Sequence, residues 1–412
     1  MMSAYVMALR GAITFSLLVP LAGCGGGSHA AAPQAKSIAL PPANPVAVAT
    51  MVQGVQAAKD GQRDRAVALL RNAIAADANL WEARFDLGVV LTTANDLAGA
   101  EGELATAARL SPDVPEVAVT LAEVRRRRGE HKRAAEGLSD FVQGHPNAVE
   151  VRVQYVAALR QAGQIDKAIA EAREVLVRKP SDASALAELA LSHLARGEKE
   201  AAGLLAKQAL DSNPSSAIAH RATGLLDLTN GDDALAFAEF RKAAQADPAD
   251  TTSRLNMGVV LLKAGVYTKA ADQYREILKL APDDVDAQVG LAAALRGESD
   301  ASHPQYLEQA KTLLEKVVAA SPHQTNALFN MGVLYADFLK KPGEAAAYFQ
   351  RFLADAPGDD PLRADAEKFV SAAAASGASA APAGQAGASP TAPGAAAPAA
   401  PATPAAPVVP KK

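Results

Sequence analysis

TTSRLNMGVVLLKAGVYTKAADQYREILKLAPDD, residues 251–284, contains one complete structural unit. Leu255, Val259 and Leu262 recur at helical spacing in its first half. Lys263-Ala264-Gly265 then ends that helix, with a glycine able to take the left-handed conformation a tight turn needs. Thr268 is placed to cap a second helix, as Asp64 and Asp166 are at the same offset elsewhere. Ala270, Tyr274 and Ile277 line one face of that helix. Pro282 stops it, because the residue before a proline is pushed out of helical geometry. Gly258 and Ala270 mark the closest crossing of the two helices, where a large side chain would hold them apart.

The same unit recurs on both sides. Prolines fall at Pro112, Pro146, Pro180, Pro214, Pro248 and Pro282, always 34 residues apart. Alanine keeps a second phase at Ala66, Ala100, Ala134, Ala168, Ala202, Ala236 and Ala270. A small residue or valine keeps a third at Gly54, Gly88, Ala122, Val156, Ala190, Gly224 and Gly258. A fixed period of this length signals a repeat array in which each unit buries its apolar face on its neighbours.

The pattern resembles the tetratricopeptide repeat, which places a small residue at position 8, Ala at 20, an aromatic or aliphatic residue at 24 and Pro at 32. In the unit starting at Thr251 these are Gly258, Ala270, Tyr274 and Pro282; in the unit starting at Ala217 they are Gly224, Ala236, Phe240 and Pro248. Seven units run from Ala47 to Asp284, the first lacking its closing proline. An eighth carries an insertion near 297–305, after which Ala310, Leu314 and Pro322 restore the phase. Gly332, Ala345, Phe349 and Pro357 mark a ninth. The resemblance implies an all-α fold: a right-handed superhelical solenoid of about nine helix-turn-helix repeats over 47–358. An amphipathic segment, 361–375, reads as the C-terminal capping helix such a solenoid needs.

The ends differ in composition. Residues 12–21 form a short apolar run after a weakly basic start, too short to cross a bilayer and laid out like an export signal whether translation starts at Met1 or Met7. Leu21-Ala22-Gly23 precede Cys24, the only cysteine of the 412 residues. This resembles a bacterial lipoprotein signal, and the resemblance implies cleavage after residue 23 and lipidation of Cys24. An incidental thiol in an ordinary cleavable signal is the alternative. Several acyl chains hold a protein at a membrane almost irreversibly, at about 0.8 kcal/mol per buried methylene. Gly25 rather than Asp follows Cys24, which in the enteric pattern directs a lipoprotein to the outer membrane, facing the periplasm. Residues 24–46 read as a tether, and 376–412 as an Ala/Pro-rich tail too poor in apolar bulk to fold.

The composition excludes several functions. Lys plus Arg total 41 and Asp plus Glu 45, so no bulk positive charge draws nucleic acid. One cysteine rules out a disulfide framework or a cysteine-based metal cluster. No phosphate-binding loop, zinc-protease motif or serine-nucleophile elbow is present. The seven histidines share no helix face at ligand spacing, so neither a cofactor, a metal site nor catalytic residues are expected. The chain does not read as an enzyme.

Two features remain. Arg125 to Arg128 end a first helix, where cations suit the helix dipole. In the resembled family, positions 2, 5, 9, 12 and 13 of first helices line the concave groove. Arg126, Arg127 and Arg160 fall on such positions and would hold an acidic group, unless Glu123 and Glu150 pair with them. The same positions give an apolar stripe: Leu191 and Leu194, Leu225 and Leu228, then Leu255, Val259 and Leu262, continued by Phe329 and Val333. It reads either as core between repeats or as an exposed docking groove.

The expectation is a lipid-anchored scaffold that binds envelope proteins, with self-association also open, and supports assembly of a multiprotein machine. Similar tetratricopeptide lipoproteins serve pilus secretins and the myxobacterial gliding-motility apparatus. The alternative is a regulator of a peptidoglycan-synthesis enzyme.

Overall fold

The structure, a computed structural model, describes residues 42–375. Cys24, the signal segment, most of the tether and the Ala/Pro-rich tail lie outside the described residues. Among the described residues every regular element is helical, and none is long and apolar enough to cross a membrane.

Two compact units divide at Ala158. The first holds α1 (Pro45–Lys59), α2 (Arg63–Ala76), α3 (Trp81–Thr93), α4 (Leu97–Leu110), α5 (Pro115–Arg127), α6 (His131–Gly144) and most of α7 (Val149–Gln161). The second begins at Leu159 and continues with α8 (Ile165–Arg178), α9 (Ala183–Ala195), α10 (Lys199–Ser212), α11 (Ala217–Asn230), α12 (Asp233–Ala246) and α13 (Thr251–Lys263). It then adds α14 (Tyr267–Leu280), α15 (Val285–Glu298), α16 (Gln305–Ala320) and α17 (Thr325–Val333). A π-helical turn (Leu334–Phe338), α18 (Pro342–Asp355) and α19 (Arg363–Ala375) complete it. Within each unit a helix packs on the next in sequence, and first helices also pack on first helices, as α9 does on α11 and α13 on α15. This is an all-α repeat solenoid.

The turn inside each helix pair follows from backbone chemistry. Gly61, Gly129, Gly163, Gly197, Gly231 and Gly265 all have φ between 71° and 86°, in the left-handed region. Asn95 holds the same place in its repeat at φ 62°, asparagine being the side chain that best tolerates it. At Gly265 the turn closes through Gly265 N–H to Leu262 O (3.0 Å) and Val266 N–H to Leu261 O (2.9 Å). The next helix then starts at once, at Tyr267. Thr268 is therefore inside α14 and does not cap it; its hydroxyl donates to Glu298 Oε1 at 2.9 Å. Asp64 and Asp166 likewise lie in the first turns of α2 and α8, where neither helix has a side-chain cap. The caps fall mainly on first helices, α4 being a second helix that Asp96 caps by accepting from the Gly99 amide at 2.9 Å. Asp182, Ser216, Asp250 and Asp284 accept from the amides of Ala185, Ala219, Ser253 and Ala287, each two residues after a closing proline.

The close crossing at position 8 is real. A Cβ at Gly258 would stand 2.6 Å from Tyr274 Cζ, at Gly224 2.8 Å from Phe240, and at Gly332 2.6 Å from Phe349. Tyr274, Phe240, Ala270 and Ala236 are fully buried. Between α15 and α16 the turn is replaced by residues 299–304, ordered by Asp300 Oδ1, which accepts from the amides of Ser302 (2.8 Å) and His303 (2.9 Å). These bonds hold the Asp300 carboxyl below its ordinary range. Ala366 of α19 is buried against α18, with Leu362, Phe369 and Val370 packed around it.

Candidate functional site

A groove of about 430 Å³ opens on the second unit. Three successive first helices build its walls: α9 with Leu191 and Leu194, α11 with Leu225 and Leu228, and α13 with Leu255 and Val259. The 34-residue repeat sets these side chains one above another. Leu194, Leu225, Leu228, Leu255 and Val259 are half-buried, left uncovered by the second helices. Leu191 is 4% exposed and shared between the groove wall and the core around Ala190, Ala206 and Ala222.

Leu262 is not a groove residue. It is 1% exposed and belongs to the core formed with Leu295, Met331 and Leu334. Its register matches that of Leu228, but the helices after α13 bring bulk over it. Phe329 is also core, its ring edge-on to Phe349 (5.3 Å) and Phe352 (5.2 Å). Val333 is half-buried beside the same cluster.

The floor is polar, and only in part legible beforehand. Tyr274, Asp286, Asn256 and Asn326 lie there with Gly290. The Tyr274 ring is held between Gly258 and Gly290, where added Cβ atoms would fall 2.6 and 2.4 Å from it. Its hydroxyl is buried without a hydrogen-bond partner among the described residues. Burial, reinforced by the nearby Asp286, pushes that hydroxyl's pKa well up. The available signal was comparative: Phe240 and Phe349 occupy this place in their own units, and neither carries an oxygen. Burial, with Asp284 adding to it, likewise raises the Asp286 carboxyl.

The arginines are each tied to acceptors of their own unit. Arg160 Nε donates to Glu188 Oε2 at 2.9 Å, and Glu188 is 2% exposed, so this cation at the groove's edge is already neutralised. In the first unit Arg126 pairs with Glu123 at 2.9 Å. Arg127 donates to Asn95 Oδ1 (3.0 Å) and Thr92 O (3.4 Å). Arg125 and Arg128 are not a solvated helix end. They converge with Arg133 on Glu101, a carboxylate 5% exposed.

The first helices of the first unit hold a different polar feature. Burial first, then Glu82, pushes the Asp86 carboxyl up from 3.8 to about 6, with Lys59 opposing. Folding thus favours the protonated form. Between these two values the folded chain binds more protons than the unfolded one, so stability falls as pH rises through the window. The cost at neutral pH is about 3 kcal/mol for a displacement from 3.8 to about 6. Asp86→Asn is expected to raise the urea midpoint at pH 7.5 and to leave it unchanged near pH 4. Parallel pH profiles for the two proteins would contradict the assignment.

The two buried histidines among the described residues serve structure. His220 sits between Glu239 (2.7 Å) and the Pro214 carbonyl (2.9 Å), and His193 is bonded to Glu198. Among the described residues no group of three or more His, Cys, Asp or Glu side chains is placed to hold a metal ion.

Family models described as tetratricopeptide repeat match residues 57–124, 156–211, 189–251, 255–301 and 307–360, more than half of the chain. The chain belongs to the tetratricopeptide repeat family. Solved structures are similar at low identity, and the first of these shows the same fold. The Cut9–Hcn1 hetero-tetramer of the APC/C aligns with a TM-score of 0.52 at 14% identity, covering 79% of this chain and 76% of that one. PilF of Pseudomonas aeruginosa gives 0.45 at 19% identity, covering 56% and 99%. YrrB, described as a TPR protein with an unusual peptide-binding site, gives 0.33 at 18%, covering 47% and 97%. No curated protein sequence matches the chain. Tetratricopeptide arrays are typically non-catalytic scaffolds suited to protein–protein interaction, and this array has that architecture.

Proposed function

We propose that the chain is a lipid-anchored scaffold of the bacterial envelope, held at the outer membrane through Cys24 and facing the periplasm. Its second unit grips a segment of an envelope protein and thereby supports assembly of a multiprotein machine, of the gliding-motility or type IV pilus and secretion kind. One observation carries the binding half of this reading: five aliphatic side chains from three successive first helices stay half-buried along one groove. Left uncovered, such side chains cost solvation energy that a bound apolar segment recovers at about 25 cal/mol per Å². The anchoring half rests on Leu21-Ala22-Gly23-Cys24.

One experiment tests both. Full-length protein, Cys24→Ser and Leu225→Asp/Leu228→Asp are expressed in a bacterial host, crosslinked and captured from the detergent-solubilised envelope. Cys24→Ser is expected to leave the membrane fraction. The groove variant, with helicity confirmed by circular dichroism, is expected to stay at the membrane and to lose the dominant crosslinked partner. Identical partners for both proteins would refute the groove; an unchanged membrane fraction for Cys24→Ser would refute the anchor.

A further inference from the structure

The groove's charges do not balance. One arginine and one aspartate line it, Arg160 and Asp286. Arg160 is spent on Glu188. Asp286 has no hydrogen-bond or ion-pair partner among the described residues, and the charged side chain that acts on it is another carboxylate, Asp284. The amide of Ala287 at the start of α15 is taken by the cap residue Asp284 at 2.8 Å. The floor therefore presents a half-buried carboxylate with no cation to meet it.

Beside it lies the Tyr274 hydroxyl, fully buried and unpartnered, on a ring that Gly258 and Gly290 keep from swinging aside. A buried hydroxyl left unpaired costs free energy, and a carboxylate taken out of water costs more, unless a ligand supplies the missing donors. A lysine ammonium has three donors and an arginine guanidinium five, and either can serve two acceptors at once. The aliphatic walls suit the side chains flanking such a cation, and they also cover its methylene stem.

We infer that the groove takes a partner's peptide segment in which apolar residues flank one lysine or arginine, the cation lying against Asp286 with the Tyr274 hydroxyl as second acceptor. The inference rests on the reading of this groove as a binding surface and adds what it selects. Charge complementarity decides the occupant: the site lacks one positive charge and offers apolar contact on either side of that point.

The test uses the full chain in detergent and three pools of fluorescein-labelled decapeptides. All positions are randomised among Ala, Leu, Ile and Val except one central residue, fixed as Lys, Gln or Glu. Fluorescence anisotropy is expected to show the Lys pool binding about tenfold more tightly than the Gln pool, the scale of a charge-assisted hydrogen bond, with the Glu pool weakest. Asp286→Asn is expected to shrink the Lys-over-Gln ratio to within about twofold while leaving the Gln pool's affinity in place. Tyr274→Phe, which keeps the ring, is expected to reduce the ratio by a smaller factor. Equal binding of the Lys and Gln pools, or a preference that survives in Asp286→Asn, overturns the inference and leaves the groove reading standing. Pools that bind Leu225→Asp/Leu228→Asp as well as the native chain overturn both. A photo-crosslinker, Leu228→p-benzoylphenylalanine, that joins the chain to its own residues 408–412 would make that Val-Val-Pro-Lys-Lys segment the occupant and overturn the assignment to a partner.

Discussion

Replacing Gly290 with alanine is expected to lower the stability of the second unit by about 2 kcal/mol. The new methyl would stand 2.4 Å from both Cε1 and Cζ of Tyr274, well inside contact distance. The ring cannot retreat, since Gly258 on its other side already admits no Cβ. Overpacking a site of this kind costs about 1–3 kcal/mol, with the upper end appropriate to a ring confined on both faces, and alanine's better helix propensity returns up to about 1. The measurement is urea unfolding followed by far-ultraviolet circular dichroism. Trp81 is the only tryptophan and lies in the first unit, so its fluorescence serves as a control that the substitution leaves nearly still. Nearest-neighbour coupling in a repeat array makes such separate transitions possible. Adding Tyr274→Leu should recover part of the loss, a double-mutant signature of direct contact. An unchanged circular-dichroism midpoint for Gly290→Ala would show that the ring is free to move.

Glu101→Gln is the second large effect, expected to cost about 2–3 kcal/mol in the first unit and to move the Trp81 transition directly. Glu101 Oε1 accepts from Arg133 at 2.8 Å and Arg125 at 3.1 Å, and Arg128 reaches the other oxygen. Glu130 helps Arg128, at 3.1 Å, and also meets Arg133. Without the Glu101 charge, Arg125 loses its buried counterion; its own pKa is already lowered by burial and by Arg133. Breaking a fully buried pair costs about 3–5 kcal/mol, and the figure here is reduced because Arg133 is 54% exposed and Arg128 32%. Arg133→Leu, which removes the outermost partner, should cost under about 1 kcal/mol by the same reasoning. Equal losses from Arg133→Leu and Glu101→Gln would mean that the cluster is held from outside rather than by its buried carboxylate.

The fold was legible because it is periodic and each period has a chemical reason. Prolines mark where second helices stop, glycines where first helices turn, and a small residue at position 8 where two helices cross. The caps were misplaced for an equally local reason. The left-handed turn is so short that Thr268 falls inside the helix it was expected to cap, while Asp250 and Asp284, spaced by the same 34 residues, do the capping. The groove was legible only by register. Register states which face of a helix a residue occupies and not what arrives to cover it, so Leu228 and Leu262 read alike until the core around Leu295 and Met331 separates them. Arg127 likewise gives no sign in sequence of the turn at Thr92 and Asn95 that takes its donors. The Tyr274 hydroxyl and the isolated Asp286 were invisible because solitude in three dimensions has no counterpart along the chain.

The left-handed turns carry a practical consequence. A Cβ built at Gly61, Gly129, Gly197, Gly231 or Gly265 meets nothing within 4 Å. The glycines at these corners face open space, although side chains from neighbouring helices reach the residues beside some of them, as Lys199 does at Thr229 and Asn230. Extra chain can enter at such a corner without re-registering the helices on either side. Between α15 and α16 it has done so: residues 299–304 bulge outward, yet Ala310 and Leu314 resume their buried places as though no residue had been added. The array is therefore editable at its corners and intolerant at its crossings. A fluorophore or affinity handle grafted at a corner would report on the groove without touching the surfaces that build it.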